Sequence, residues 1–439
     1  MKCEEVRDEM IAYLKGELDD ERKKEIEEHL ARCQGCSREL EIAGRVLHQV
    51  QSANEESVID MAEDIVRKAI ESGASDIHVD PTRDGGQIRF RIDGVLHPIK
   101  QIPPAARDAL VARLKMMADL SMTEKKQQDG RFEVEVKENK YDVRLSTMPV
   151  VLGEVVVMRI LDQGTPLMGL EKLGFSDEQL AAVRSLLHQP NGMIICTGPT
   201  GSGKTTVLYS MIKELVNPGV SIVSVEDPVE YQLRGIQQAQ VNVSEGRTFS
   251  AILRGFMRHD PDIIMVGEIR DADTMLGAAS AADSGHLVLT QMHATEAVDI
   301  PQRITTCVPA TAFLGTGLIG IVACRLARMI CKDCLEEYTP DPKALKFLGL
   351  KGDEVKFMRG KGCPTCRETG HKGRVQLHEI LVIDAKLAKM ITSGETDPEA
   401  IRKYADTQGF VSLVDDGRRR VLQGDTTAEE VYRILSWAP

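Results

Sequence analysis

A glycine-rich stretch near the middle of the chain has the residues and spacing needed to hold the phosphates of a nucleotide. Residues 198–205 read GPTGSGKT, the complete phosphate-loop pattern, between a strand-like run and a helix-like run. A glycine-rich turn without a ligand is the alternative, and this context favours a nucleotide. We expect Lys204 to reach the β- and γ-phosphates and Thr205 to bind Mg²⁺. The candidate nucleotide ligands are Gly198, Pro199, Thr200, Gly201, Ser202, Gly203, Lys204, Thr205 and Thr206, with Glu226 and His286 as candidates outside the loop.

Two acidic segments follow the phosphate loop, which we define as residues 198–205. The run DIIMVGE ends at Glu268, and Gly267 occupies the position where many such enzymes place an aspartate. Glu268 is therefore the candidate for polarising the attacking water. The segment VEDPVEY offers Glu226, Asp227 and Glu230 as acids that help to hold Mg²⁺. A solvated, helix-capping carboxylate is the alternative for each acid, and it stays open for Glu230 in particular.

Two histidines, His286 and His293, flank the strand-like run LVLTQM. A lone histidine is usually packed or solvated, but a pair that brackets one strand of a nucleotide-binding sheet is a candidate for function. Both readings remain open from the residues alone.

Two Cys-x-x-Cys pairs, Cys331 with Cys334 and Cys363 with Cys366, lie 28 residues apart. Each pair can supply two thiolates from one turn, and the two together complete a tetrahedral zinc site. Four protein ligands leave no open position, so the predicted site is structural. A redox pair is the weaker alternative because two matched pairs are present.

A second cluster lies at the N-terminus. His29, Cys33 and Cys36 have i, i+4 and i+7 spacing, so one helix would present all three on a single face, with Cys3 as the fourth ligand. This set suits zinc. A helix with two buried cysteines and an exposed histidine is the alternative. The isolated Cys196, Cys307 and Cys324 are interpreted as small buried hydrophobic residues.

The composition indicates a folded chain with several domains. Of the 439 residues, 42% are hydrophobic and 28% charged, which excludes a mainly disordered protein. A net charge of −12 does not favour nucleic acid as the main partner. The N-terminus lacks an apolar signal core, and the apolar run from Phe313 is too short to span a bilayer. We therefore expect a cytoplasmic protein that reaches the membrane through a partner.

Sequence patterns divide the chain into successive segments. Period-two alternation in QIRFRIDG and YDVRLSTM predicts hairpins of a small α+β domain, and a run of buried strands separated by helices predicts a parallel sheet covered on both faces. The predicted segments are a helical zinc module at 1–45, a linker at 46–57, the α+β domain at 58–163, the nucleotide domain at 164–395 with a zinc insert at 328–375, and a helical segment at 396–439. The fold class is therefore multidomain α/β.

The motifs in this order resemble those of the motor ATPases of type II secretion and type IV pilus assembly. The resemblance covers about Ser57 to Pro439 and rests on SDIHVDP, RFRIDG, RLSTMPVVLGEVVVMRIL, TGPTGSGKTT, VEDPVEY, LRGFMRHDPDIIMVGEIRD, GHLVLTQMHA and the cysteine pairs. It implies a RecA-like core, a small PAS-like domain and a hexameric ring. It also implies that Arg144 and Arg159 reach the γ-phosphate, with Arg254 as a third arginine in the nucleotide domain. His286 and His293 match its histidine box, and VEDPVEY matches its acidic box.

The resemblance further implies what the energy of ATP is used for. Assembly enzymes carry the four-cysteine site, which the pilus-retraction branch lacks, so hydrolysis would power insertion of pilus or pseudopilus subunits through an inner-membrane platform protein. The first 45 residues instead resemble an anti-sigma-factor zinc finger, through Cys3 and HLARCQGC, and indicate a separate regulatory partner. Two alternatives remain: a retraction or DNA-transport motor, and a nucleotide-switched regulatory binding protein.

Overall fold

The computed structural model describes residues 3–15, 18–40, 43, 58–162, 168–308, 317–351 and 356–436. These residues belong to two compact units, Met1–Thr165 and Pro166–Pro439. The predicted linker at 46–57 and the predicted domain boundary at 163 lie outside the described residues. None of the helices in the described ranges combines the length and apolar character needed to cross a bilayer.

The first unit begins with a small helical module. Helices α1 (Cys3–Lys15) and α2 (Asp20–Leu30) are followed by a helical stretch, α3, at 34–40. Its small core is formed by Val6, Met10, Ile26, Cys36 and Ala43. So few buried side chains supply little stability on their own, and segments of this size usually need a metal or disulfides.

The described residues from 58 to 162 form a six-stranded antiparallel sheet with two helices. The strand order is β3-β2-β1-β6-β5-β4. The elements are α4 (Val58–Glu71), β1 (Ala74–Thr82), β2 (Gly85–Ile92), β3 (Val95–Ile102), α5 (Pro104–Met117), β4 (Gln128–Val136), β5 (Asn139–Val150) and β6 (Gly153–Asp162). Alternate residues such as Ile88, Phe90 and Val143 are buried against α4 and α5. The intervening residues form the opposite, largely polar face.

The second unit is organised around a seven-stranded sheet of order β15-β12-β7-β11-β10-β8-β9, in which only the β12–β15 pair is antiparallel. Its strands are β7 (Gly192–Thr197), β8 (Ile222–Glu226), β9 (Gln237–Gln240), β10 (Ile263–Val266), β11 (Leu287–Met292), β12 (Leu318–Ile330) and β15 (His371–Val382). The four predicted buried strands are β7, β8, β10 and β11, which confirms the predicted parallel sheet.

Helices cover both faces of this sheet. The helices described in this unit are α6 (Asp177–Leu187), α7 (Lys204–Leu215), α8 (Phe249–Phe256), α9 (Ala272–Asp283), α10 (Ile300–Cys307), α11 (Pro342–Leu348), α12 (Ala385–Thr392), α13 (Pro398–Asp406), α14 (Leu413–Leu422) and α15 (Ala428–Leu435). Alternate strand residues pack on α6 and α7 on one face and on α8 and α9 on the other. The sheet is therefore buried on both sides, as its apolar strands require.

Strands β12 and β15 form a long ribbon that continues beyond the sheet. The first half of β12 pairs with β7, so that Ala323 lies opposite Thr197 at the start of the phosphate loop. Its other end, Ile330, leads directly into the cysteine pairs and the small hairpin of β13 (Leu335–Tyr338) and β14 (Phe357–Gly360). The ribbon thus joins the nucleotide sheet to the cysteine insert.

Candidate functional site

The phosphate loop joins β7 to α7, which starts at Lys204. Gly198, Gly201 and Gly203 have φ values of 147°, 76° and 92°. Such positive values are open to glycine and strained for other residues. A Cβ on Gly198 would lie 2.5 Å from Ser202 Oγ and 2.6 Å from the carbonyl oxygen of Cys324. The loop is therefore a tight backbone cradle at a helix N-terminus, which fits the phosphates of a nucleotide.

Lys204 is directed into this cradle. Its buried Nζ donates to the carbonyl oxygens of Gly198 and Pro199, each at 2.9 Å. Burial lowers the pKa of Lys204, although the nearby Glu268 carboxylate acts in the opposite direction. Nζ also donates to Nδ1 of His293 at 3.5 Å.

Glu268 and His293 lie at the ends of the parallel strands where the phosphate loop begins. Glu268 Oε2 lies 3.7 Å from Nε2 of His293, and its Oε1 pairs with Arg270. Glu268 follows β10 and His293 follows β11, and these neighbouring parallel strands end together beside the phosphate loop. The structure therefore brings Lys204, Glu268 and His293 into one cluster that can bind phosphate and orient a water molecule.

Gly267, where many related sites have an aspartate, packs tightly against β8. A Cβ at this position would lie 3.2 Å from both Glu226 Cα and the Val225 carbonyl oxygen. The close approach of these backbones favours glycine, and it leaves Glu268 as the acid at the end of β10.

Glu226 is occupied by protein donors. Its carboxylate is buried and accepts hydrogen bonds from Ser224 Oγ at 2.6 Å, from Gln238 Nε2 at 3.0 Å and from the Tyr209 hydroxyl. It therefore ties α7 to β8 and β9, and its availability to Mg²⁺ stays a prediction. The backbone N–H of Glu230 donates to the same Tyr209 hydroxyl at 3.3 Å, so the acidic segment is held against α7.

His286 lies at the opposite ends of the strands, away from the phosphate loop. It precedes β11, its carbonyl oxygen accepts from the N–H of Gly192 at the start of β7, and its Nδ1 lies 2.9 Å from the carbonyl oxygen of Ala281. The phosphate loop follows the opposite end of β7. The structure therefore does not bring His286 to the loop within this unit, and its predicted nucleotide contact stays untested.

The three predicted arginines lie on two different units. Arg254 is exposed on α8 of the second unit. Arg144 and Arg159 belong to the first unit, where β5 and β6 place them directly opposite each other on the polar face of the sheet. Their contact with a nucleotide stays a prediction.

Gln376 is a site residue that the sequence patterns did not reveal. Its amide Nε2 donates to the carbonyl oxygen of Gly203 at 3.3 Å, and its Oε1 lies 3.2 Å from Nε2 of His378. Burial lowers the pKa of His378 to about 3. The ring is therefore neutral, and a proton on Nε2 donates to Gln376 and fixes the amide orientation. Lone polar residues in a strand give no sequence signal for such a contact.

The two Cys-x-x-Cys pairs converge as predicted. All four ligand atoms of Cys331, Cys334, Cys363 and Cys366 lie within 4.8 Å of one another. Three of the Sγ···Sγ distances are 3.6, 3.8 and 3.9 Å. Zn–S bonds of about 2.3 Å in a tetrahedron place sulfurs about 3.8 Å apart, whereas a disulfide bond is about 2.05 Å long. The donor set and its spacing therefore fit zinc.

The N-terminal cluster has similar dimensions. Cys3 Sγ lies 3.6 Å from His29 Nε2 and 3.8 Å from Cys33 Sγ, and Cys36 completes a group within 4.8 Å. The prediction that one helix presents His29, Cys33 and Cys36 is wrong. Helix α2 ends at Leu30 and α3 begins at 34, so the turn between two helices brings these ligands together. The donor set also fits zinc.

The isolated cysteines are consistent with small packed residues. Cys196 and Cys324 are buried, which confirms the prediction, and Cys324 Sγ lies 3.6 Å from Ser202 Oγ of the phosphate loop. The side chain of Cys307 lies outside the described residues.

Sequence similarity to known proteins extends over most of this chain. It is 40% identical over 371 residues to the type IV pilus assembly ATPase PilB of Thermus thermophilus, which is 84% of this chain and 42% of that protein. It is 39% identical over 378 residues to the type II secretion system protein HxcR of Pseudomonas aeruginosa, covering 86% and 77% of the two chains. It is 39% identical over 387 residues to the type II secretion system ATPase E of Vibrio cholerae, covering 88% and 76%. The chain thus spans less than half of the Thermus protein and about three quarters of the other two.

Solved structures agree on the fold. The pilus retraction motor PilT with bound ADP superposes with a TM-score of 0.57 at 25% identity, over 87% of this chain and 97% of the other. The Legionella pneumophila ATPase DotB gives a TM-score of 0.65 at 20% identity, over 88% and 98%. These similarities confirm the predicted multidomain α/β fold class.

Family models match both parts of the sequence. A zinc-finger family matches residues 3–37. The family described as type II/IV secretion system protein matches residues 51–433. The chain therefore belongs to the type II/IV secretion system protein family, as its motifs predicted.

Proposed function

We propose that this chain hydrolyses ATP at the phosphate loop and uses the energy to assemble pilus or pseudopilus subunits. The observation that carries the proposal is the cluster of Lys204, Glu268 and His293 at the edge of the sheet beside the loop. Relatives at 39–40% identity are named a type IV pilus assembly ATPase and a type II secretion system ATPase. The chain is accordingly an ATP-hydrolysing enzyme of this family.

The residues divide the chemistry among them. The loop N–H groups and Lys204 hold the phosphates, and the Glu268 carboxylate orients and polarises the attacking water. Thr205 and the acidic segment around Glu230 would hold Mg²⁺, which would neutralise charge on the phosphates when bound. Arg144, Arg159 and Arg254 would balance the charge of the transferred phosphoryl group, as arginines do in many such enzymes. The two cysteine clusters would hold one structural Zn²⁺ each.

The working assembly is part of the same proposal. A homohexamer in the cytoplasm would act on an inner-membrane platform protein, and the N-terminal module would bind a separate regulatory partner. Retraction, as in PilT, is the second candidate, because PilT shares the fold. The paired cysteines favour assembly, because the resemblance places such a site in the assembly branch.

Substitution of Glu268 tests the proposal. Glu268→Gln keeps the size of the side chain and removes the carboxylate, so we expect near-normal Mg-ATP binding and turnover slower by at least about a hundredfold. The control is Glu245→Gln, a surface glutamate paired with Arg247 in the same unit, which should turn over normally. Phosphate release and nucleotide binding are measured in parallel. Near-wild-type turnover in Glu268→Gln would remove Glu268 from this role.

The phenotype of cells carrying Glu268→Gln distinguishes subunit assembly from retraction. Loss of surface filaments or of secretion supports assembly. Excess filaments that fail to retract would overturn assembly in favour of retraction. A wild-type protein that binds ATP but shows almost no turnover would instead indicate a nucleotide-switched regulator.

A further inference from the structure

A row of charged side chains crosses the polar face of the sheet in the first unit. Strand pairing places its members directly opposite one another from β2 to β4: Arg91 faces Asp76, Asp76 faces Arg159, Arg159 faces Arg144, and Arg144 faces Arg131. Directly paired residues project on the same side of a sheet, about 4.8 Å apart. Four arginines and one aspartate therefore lie side by side over about 19 Å.

Such a row carries an energetic cost in the folded domain. Like charges directly opposite each other in a sheet are destabilising. Asp142, on β5, lies 4.0 Å from Arg144. Asp76 lies between Arg91 and Arg159, so its carboxylate can hold both neighbouring guanidinium groups in place.

Asp76 contacts the arginines on both sides. Its carboxylate is buried, with Oδ1 3.1 Å from Arg159 Nε and Oδ2 3.6 Å from Arg91 Nε. Ser75 Oγ donates to Oδ2 at 2.8 Å and fixes the carboxylate further. A buried carboxylate with these three partners is a rigid anchor, in contrast to the long arginine side chains around it.

The Arg159 contact restrains the side chain without using its terminal donors. Asp76 accepts from Nε, so this bond leaves the Nη1 and Nη2 donors of Arg159 for another acceptor. The Arg159 side chain is 57% exposed. A planar guanidinium held at Nε presents its Nη donors in a defined direction, which suits the oxygens of a phosphate.

We propose that Asp76 is a positioning residue for ATP hydrolysis: it holds Arg159 in the orientation in which the guanidinium meets the transferred phosphoryl group. The inference rests on the proposed function, because it needs Arg159 to act on ATP. Asp76 itself would not touch the nucleotide. Its removal should therefore lower turnover through Arg159 and leave nucleotide binding at the phosphate loop intact.

The test is a double-substitution cycle in the full-length protein. Asp76→Asn keeps the shape and can accept one hydrogen bond but loses the charge, so we expect kcat to fall at least about tenfold, the scale of a misplaced group, with KM for ATP within about twofold. Arg159→Ala should lower turnover by about a thousandfold or more and leave a measurable residual rate. Adding Asp76→Asn to Arg159→Ala should cause no further loss of residual turnover or nucleotide affinity, because Asp76 acts through the missing side chain.

A matched control lies on the same strand. Asp80 pairs with Arg89 of β2 at 2.7 Å, but neither residue belongs to the row. Asp80→Asn should keep kcat within about twofold of the wild type. If it lowers kcat as much as Asp76→Asn does, the effect belongs to the sheet in general and the inference falls.

The outcomes separate failure of the proposed role of Arg159 from failure of the inference about Asp76 alone. Full turnover in Arg159→Ala would overturn the arginine's part in the proposed function, and the inference with it. Loss of turnover in Arg159→Ala combined with wild-type turnover in Asp76→Asn would overturn the inference alone. A lower residual turnover in the double variant than in Arg159→Ala would show a general structural role for Asp76 and would also overturn it.

Discussion

Lys204 Nζ lies 3.5 Å from Nδ1 of His293, at the edge of the sheet where the phosphate loop begins. An ammonium group can only donate, so Nδ1 accepts, and the proton of a neutral ring is on Nε2, which faces Glu268 at 3.7 Å. The imidazole therefore lies between the lysine that we propose binds phosphate and the acid that we propose orients water.

Replacing His293 should lower turnover, whereas replacing an exposed histidine outside the cluster should not. His293→Ala removes the contact between Lys204 and Glu268, and we expect turnover at saturating Mg-ATP to fall about tenfold to a hundredfold. His188→Ala is the control, since His188 is exposed at the end of α6 and its Nδ1 contacts the Arg184 carbonyl oxygen. Its turnover should stay within about twofold of the wild type. Equal losses in the two variants would contradict the arrangement described here.

The cysteine insert should depend on metal for its stability. Cys363→Ser removes one thiolate from a closed set of four, and metal binding contributes directly to the folding of such sites. We expect one zinc ion per chain to be lost and the melting temperature to fall, as measured by elemental analysis and thermal unfolding. The control, Cys196→Ser, alters a buried cysteine of the sheet and should leave the zinc content unchanged. Wild-type protein purified without chelators and found to contain no zinc would refute the site.

The C-terminal helix α15 should confer acid sensitivity through Glu430. Burial alone would raise the pKa of Glu430, but ion pairs with Arg433 and Arg328 outweigh it and lower the pKa to about 2. A carboxylate with a depressed pKa in the folded state stabilises the protein fully above its unfolded value near 4.5. That contribution is lost as the pH falls from about 4.5 to about 2.

Glu430→Gln should therefore melt at a lower temperature than the wild type at pH 7, by several degrees, because Arg328 and Arg433 lose a buried partner. The gap between the two proteins should narrow as the pH falls from 5 to 3, in thermal unfolding followed by fluorescence. Glu399→Gln, an exposed position on α13, is the control and should melt like the wild type throughout. A gap that is independent of pH would show that the ion pairs do not account for it.

Local sequence patterns predicted much of this fold because their causes are local. The alternation of Ile88, Phe90 and Ile92 with arginines follows from a strand with one buried face, and the glycine spacing of the phosphate loop follows from its backbone. The two thiols of each Cys-x-x-Cys pair lie close together because each pair sits on one tight turn. In each case the residues that determine the structure lie within a few positions of one another.

Contacts that depend on strand register or on a break in a helix could not be predicted from local sequence patterns. SDIHVDP is one of the motifs that carry the family resemblance, but the partners of Asp76 are fixed by pairing with β2 and β6, and Arg159 is 83 residues away. Gln376 and Gly203 are 173 residues apart. The i, i+4, i+7 spacing of His29, Cys33 and Cys36 suggested one helix, whereas α2 ends at Leu30 and the ligands approach across the turn that follows.

The N-terminal module should hold a second zinc ion without taking part in catalysis. Its four candidate ligands, Cys3, His29, Cys33 and Cys36, lie within 4.8 Å of one another, and its core is small. None of the residues assigned to the hydrolysis cluster belongs to it. Deleting residues 1–50 should therefore lower the zinc content from about two ions to about one per chain, by ligand count, and turnover per active site should survive.

A point substitution separates loss of the metal from loss of the segment. Cys33→Ser in the full-length chain should also remove about one zinc ion, whereas Arg32→Ala, at an exposed neighbouring position, should keep both. If the module is an adaptor folded by zinc, both the deletion and Cys33→Ser should lose the cellular partner in pull-down experiments, and Arg32→Ala should keep it. Loss of ATP turnover in the truncated protein would show that the module takes part in catalysis. Retention of the cellular partner by the truncated protein would show that the module is not the adaptor.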